Sequence, residues 1–172
     1  MTIEEFIHAT VIGDLGIMVF TPKLKYLSFG VMASMIEFLG ACLDDKDFSQ
    51  RDCSQIRFNK AIEDLGALVK YKQFIKSDFD FYGNLRCGML HTAIPGKGIE
   101  LTERADPKGS GKHLEVHTLR GRDQSARLFL VCEDFYEDIC KGAEELIEKM
   151  KNGTTHKKAS MTCLFTDFDI AH

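Results

Sequence analysis

Residues 78–95, DFDFYGNLRCGMLHTAIP, set the reading of this chain. Phe79, Tyr82, Leu85, Met89 and Leu90 predict an apolar helix, with Ser77 as its cap, Asp80 at the capping-box position and Pro95 marking its stop. Near the end of that helix stand Arg86 and His91, with Cys87, Gly88, Met89 and Leu90 between them. A guanidinium keeps its charge and grips phosphate as a fork, while an imidazole moves protons near neutral pH. The pair therefore suits phosphodiester chemistry. On an ideal helix residues five apart diverge by about 140°. Convergence then requires a distortion near Gly88, where helix propensity is low, an early helix end, or a second copy of the chain.

Outward from this segment the helical period recurs. Residues 2–12 predict a short helix, with Thr2 and Glu5 forming a capping box. Residues 13–21 fit either an extended segment or a loop. Thr21-Pro22 predicts the start of a helix running to Leu43 through Leu24, Leu27, Val31, Met35, Phe38, Leu39 and Cys42. Residues 44–53 are polar and read as a loop, and a second long helix is expected from Ser54 to about Ile75. Two alternating stretches, Ile99–Glu103 and His113–Leu119, flank the turn-rich Pro107-Lys108-Gly109-Ser110-Gly111 and predict a β-hairpin at about 98–120. The helical period returns from Ala126 to Met150 and ends at Asn152-Gly153. The expected fold is mainly α, a four- to five-helix bundle with an inserted hairpin. Residues 1–152 form one domain, and residues 153–172 form a C-terminal tail, docked or disordered.

The 172 residues carry a net charge of −4, with 44% hydrophobic and 28% charged side chains, which is ordinary for a globular domain. That charge argues against a broadly basic nucleic-acid surface, yet a local phosphate site acts over less than a Debye length. The six cysteines show no C-x-x-C pair, so reduced thiols and a cytoplasmic location are expected. Glu4 and Glu5 stand where a signal peptide carries positive charge, and no uninterrupted apolar run reaches the ~18 residues of a membrane span.

Leu85-Arg86-Cys87-Gly88-Met89-Leu90-His91 resembles the R-x4-H signature of the HEPN (higher eukaryotes and prokaryotes nucleotide-binding) families, prokaryotic ribonuclease-like members in particular. The resemblance covers mainly residues 24–94 and the final helix. It implies a helical bundle in which two protomers pack so that Arg86 and His91 of each meet at the shared interface. It implies a metal-independent endoribonuclease with catalytic Arg86 and His91, no cofactor, and RNA or a nucleotide as ligand. An antitoxin-like protein partner is also consistent with it, and no membrane is involved. The ribonuclease members usually carry Asn or Asp after the Arg. Here Cys87 stands in that supporting position, and a thiol is a weak hydrogen-bond donor.

Glu37 interrupts an apolar helix, and two readings stay open for it: a pair with Arg86, or an exposed edge position. Arg104, Arg120 and Arg122, with other cations around the expected hairpin, are candidates for guiding RNA. His113 and His117 share a strand-like segment but have no third ligand at evident spacing, so no metal site is assigned. The acids Glu133, Asp134, Glu137, Asp138, Glu144, Glu145 and Glu148 read as the solvated face of the last helix. Leu85, Met89 and Leu90 cannot all lie on one side of their helix, which predicts a homodimer through residues 77–94. The alternative function is a non-catalytic helical dimer that binds nucleotide, RNA or a protein.

Overall fold

The computed structural model describes residues 1–106, 111–118 and 125–155. Residues 107–110 of the expected hairpin turn, Arg120, Arg122 and the tail beyond residue 155 lie outside the described residues.

The first helical run shows how spacing dictates shape. Ile3, Ile7, Val11, Leu15 and Val19 recur every fourth residue, and all are between 0% and 3% exposed. On an α-helix each four-residue step overshoots a full turn by about 40°, so five such residues would spiral away from the core. The chain resolves this by widening. Helix α1 (Ile3–Phe6) passes into a π-helical segment, Ile7–Asp14, and then into α2 (Leu15–Phe20). Residues 13–20 are thus helical, neither extended nor loop. The Thr2 capping box forms as the sequence predicts, with the Glu5 amide donating to Thr2 Oγ1 at 3.1 Å and the Thr2 amide to Glu5 Oε2 at 2.6 Å.

A turn over residues 21–24 leads to α3 (Lys25–Leu43), which starts three residues later than Pro22 suggests. Phe29, Met32, Ala33, Ile36 and Leu39 bury it in the bundle. By length and apolarity alone α3 would also suffice to cross a membrane, with 56% of its most apolar window buried here. Helix α4 (Ser54–Asp64) packs along it. The single helix expected to Ile75 breaks at Leu65, whose backbone is extended, and continues as a 3-10 helix, Gly66–Phe74. The cause is long-range: the Gly66 amide donates to Glu145 Oε2 at 2.6 Å instead of to a carbonyl one turn back.

Within residues 78–95 the chain folds as a π-helical stretch, Phe81–Cys87, continued by α5 (Gly88–Thr92). Its cap is Asp80, whose carboxylate accepts from the Gly83 amide at 3.2 Å. Ser77 instead closes the preceding turn, donating to the Phe74 carbonyl and accepting from the Phe79 amide. Here too the buried residues, Phe81, Leu85 and Met89, recur every fourth position.

The expected hairpin does not form. Strands β1 (Ile99–Thr102) and β2 (Val116–Thr118) do not pair with each other; both flank β3 (Ala126–Val131). β1 runs parallel to β3 in the register Ile99↔Leu128 to Thr102↔Val131, and β2 runs antiparallel to it, Val116↔Leu128. The last helix therefore begins at Cys132, since residues 126–131 are strand. Leu128-Phe129-Leu130-Val131 is a continuous apolar run buried on both faces, which suits a central strand. Helix α6 (Cys132–Lys151) follows, and Asn152 and Gly153 end it as predicted. Its stripe of Phe135, Ile139, Ala143, Leu146 and Ile147 closes the core, where Phe58, Tyr71, Phe81 and Phe135 meet ring against ring.

Candidate functional site

Helix α3 and the π-helical stretch Phe81–Cys87 place Glu37 against Arg86. Arg86 Nε donates to Glu37 Oε2 at 2.8 Å, and Nη2 lies 2.8 Å from the same oxygen. Of the two readings open for Glu37, the pair is the one found. Arg86 also lies over the Tyr82 ring, 5.7 Å from its centroid. Burial opposes the charge, but the Glu37 carboxylate outweighs it and holds the guanidinium above its ordinary pKa. Burial, and then the Cys87 thiol, raise the Tyr82 phenol in the same cluster. Cys87 is half-buried beside Arg86. A cavity of about 220 Å³ opens next to this pair, lined by Ser34, Glu37, Phe38, Ala41, Phe48, Arg57 and Arg86.

His91 is elsewhere. It is exposed in the last turn of α5, just before Ala93 terminates the helix in the left-handed conformation, φ 55°. It does not line the Arg86 cavity. The widened helix still changes its direction. If the four-residue period of Phe81, Leu85 and Met89 is taken as one turn, Arg86 and His91 diverge by about 90° rather than about 140°. Tyr82, Arg86 and Leu90 then form one row, and Cys87 and His91 form the adjacent one. Beyond Gly88 the chain folds back so closely that a Cβ there would meet the Ile94 carbonyl oxygen at 2.6 Å. Around His91, Leu90 is 44% and Ile94 63% exposed, and α3 adds Tyr26 and Leu27 at 46% and 53%. The Tyr26 hydroxyl donates to the Ala93 carbonyl at 2.8 Å, which ties the two halves of this patch together.

Among the described residues His91 is the one histidine without a hydrogen-bond or ion-pair partner. His8 faces Glu4 at 3.9 Å, and His117 faces Glu115 at 3.0 Å. His113 accepts from the Val131 amide on Nδ1 at 3.1 Å and lies 2.7 Å from the Tyr71 hydroxyl on Nε2. His113 and His117 thus have separate partners, and among the described residues no three His, Cys, Asp or Glu side chains gather as a metal site. Arg104 is spent on α6, pairing with Asp134 and Glu137. Its role in guiding RNA has no support in this geometry.

Sequence reasoning misplaced two acids. Glu133 and Asp138, assigned to the solvated face, are 5% and 6% exposed. Glu133 takes Lys25 Nζ at 2.6 Å and the Arg104 amide at 3.0 Å. Asp138 accepts from the Tyr71 hydroxyl at 2.6 Å and pairs with Lys70 at 2.6 Å. Burial alone would raise both carboxyls; their donors override it and lower them. Burial, reinforced by Asp138, pushes the Tyr71 phenol well above its usual range. Asp138 follows Phe135 by three residues on the core-facing stripe, and that spacing was the signal available in the sequence.

Comparison of the chain with protein-family models, with curated proteins and with solved structures gives no match.

Proposed function

We propose that this chain is a HEPN-like protein, a metal-independent endoribonuclease whose Arg86 and His91 act at the interface of a homodimer. One observation carries the reading: Glu37 and Tyr82 fix Arg86 at the lip of a cavity, while the unpartnered His91 stands exposed on the same helix. A fixed guanidinium offers its outer N–H groups to a phosphate without reorganising. An unengaged imidazole is free to exchange a proton. In the reaction the ribose 2′-oxygen attacks the adjacent phosphorus, and the 5′-oxygen leaves with a proton. His91 removes the first proton or supplies the second, and Arg86 stabilises the charge on the pentavalent phosphorane. The nucleophile is internal, so this route needs no metal-activated water.

The exposed Tyr26, Leu27, Leu90 and Ile94 around His91 supply the dimer seat, because a two-fold contact there brings each His91 toward the partner copy. The expected result is cleavage of RNA but not DNA, unchanged by EDTA, and reduced about 10²–10⁴-fold in His91→Ala. Light scattering should give twice the chain mass, and Leu90→Glu should give a monomer. Undiminished cleavage by His91→Ala would sink the assignment.

A second reading, a non-catalytic dimer that binds nucleotide, RNA or a protein, has its own support. Arg86 spends two N–H groups on Glu37, and its side chain is only 17% exposed. RNA binding without cleavage by the wild-type dimer would select this reading.

A further inference from the structure

Residues 111–118 lie against β3 along a strained course that a buried histidine holds in place. Leu114 has φ 62°, a left-handed conformation unfavourable for a bulky side chain, and its amide donates to the Phe129 carbonyl at 2.8 Å. The Phe129 amide donates to the Glu115 carbonyl at 2.9 Å, and β2 then pairs with β3. Next to Leu114, the His113 side chain is 11% exposed and ties three elements together. Its Nδ1 accepts from the amide of Val131, the residue from which α6 starts, at 3.1 Å. Its Nε2 lies 2.7 Å from the Tyr71 hydroxyl, which donates to Asp138 Oδ2 on α6 at 2.6 Å.

The directions of these bonds fix one protonation state. An amide N–H only donates, so His113 Nδ1 carries no hydrogen and the ring proton sits on Nε2. Nε2–H donates to the Tyr71 oxygen, and the Tyr71 O–H passes on to Asp138. Burial, and then Asp138, hold the Tyr71 phenol well above its usual range, so the hydroxyl keeps its hydrogen. Burial would raise Asp138, but bonds from His113, Lys70 and Tyr71 lower it, so the carboxylate stays charged in mild acid. A second ring proton has one place to go, Nδ1, where it meets the Val131 N–H head on. Asp138 lies 3.4 Å from Nε2 but gives little relief, because Lys70 Nζ already neutralises it at 2.6 Å. His113 also lines a cavity of about 400 Å³, and among the described residues the other charges there cancel. Arg104 pairs with Asp134 and Glu137, Glu103 with Lys25, and Glu115 with His117, while Asp106 and Lys112 are of opposite sign.

We propose that His113 is an acid-operated latch: protonation at Nδ1 displaces the Val131 amide and frees residues 111–118 from β3, which removes one wall of that cavity. The strain at Leu114 favours the released state once the bond is gone. The latch is separate from Arg86 and His91 and does not depend on the RNA-directed reading.

The test is NMR on the full-length, ¹⁵N-labelled chain at about pH 7.5 and about pH 5.5, either side of the ordinary histidine range. At the higher pH, long-range imidazole couplings should show the Nε2–H tautomer for His113. On acidification, amide exchange corrected for the intrinsic effect of pH should lose protection at Leu114, Phe129 and Val131. The expected loss is about 5- to 150-fold, the factor for one buried amide left without its acceptor. Ile139 and Leu146 on α6 should keep their protection. His113→Asn keeps an acceptor for the Val131 amide but cannot titrate, so its protection should be the same at both pH values. His117→Gln, which removes the neighbouring exposed histidine, should respond as the parent does. An Nδ1–H tautomer at the higher pH, or equal protection of the parent at both, overturns the latch. So does an acid response that survives in His113→Asn, and should that variant fail to fold, the tautomer and the parent's protection still decide.

Discussion

Two glycines on α3 make the packing of the bundle testable by sign. Gly→Ala inside a helix normally stabilises by roughly 0.5–1 kcal/mol, because Ala has less backbone freedom to lose. At Gly30 a Cβ would lie 3.5 Å from Met89 Cβ, an ordinary van der Waals distance. Gly30→Ala should therefore show the helix effect alone, a gain of about 0.5–1 kcal/mol. At Gly40 a Cβ would lie 1.7 Å from the Arg57 carbonyl oxygen and 2.5 Å from its carbon. Both are backbone atoms of α4, so no rotamer change relieves the clash. The helices must part by more than an ångström along the most extensive helix–helix contact in the bundle. Overpacking of this kind costs about 1–3 kcal/mol, and more where backbone must move, which overwhelms the propensity gain. At about 2–4 °C per kcal/mol for a chain of this size, Gly40→Ala should lower the melting temperature by roughly 2–10 °C. Thermal melts and urea titrations followed by circular dichroism measure both variants. A neutral or stabilising Gly40→Ala would refute the close approach of α3 and α4. It would also remove the basis for placing Arg57 and the Phe48 loop beside the cavity.

Other outcomes follow from single contacts. Ala93 ends α5 at φ 55°, a conformation that glycine adopts without penalty, so Ala93→Gly should stabilise by about 0.5–1 kcal/mol in urea titration. Asp138, whose folded pKa is lowered, contributes stability above its unfolded pKa, and this is lost as pH falls through the folded value. Asp138→Asn should accordingly cost about 1–3 kcal/mol at neutral pH, with the gap to wild type narrowing in acid; a gap independent of pH would contradict the paired carboxylate. Glu133, also lowered and held by Lys25, predicts the same acid-limb behaviour, so Glu133→Gln should flatten the same part of the stability–pH curve.

The sequence discloses what is local and hides what is distant. The Thr2 capping box, the apolar burial of α3 and the stop at Gly153 each depend on a few neighbouring residues, and each is found. For Glu37 the sequence leaves two readings, a pair with Arg86 or an exposed edge, because a carboxylate in an apolar stripe needs either a partner or water; the structure has the pair. The strand at 126–131 was hidden because Leu128 and Val131 fit a helical stripe as well as a strand. Only the unbroken run between them, buried on both faces, separates the two. The partners of Glu133 and Asp138 are Lys25 and Lys70, far away in the chain, so periodicity alone placed these acids outside. The break at Gly66 is similarly set by Glu145.

The four-residue period links the core to the site. In residues 81–92 the core claims Phe81, Leu85 and Met89, and a helix that keeps all three inward must widen, as the run from Ile3 to Val19 does. Widening fixes the row of Tyr82, Arg86 and Leu90 beside α3, where Glu37, Gly30 and Tyr26 meet the segment in antiparallel order. One end of that row is polar and internally neutralised; the other is apolar and open. His91 stands in the next row at the open end, and among the described residues nothing in its own chain engages it. A second copy seated on Tyr26, Leu27, Leu90 and Ile94 would therefore cover the apolar end first and bring its own groups to His91. That is why dimerisation and activity should be lost together in Leu90→Glu, although Leu90 carries no chemistry of its own.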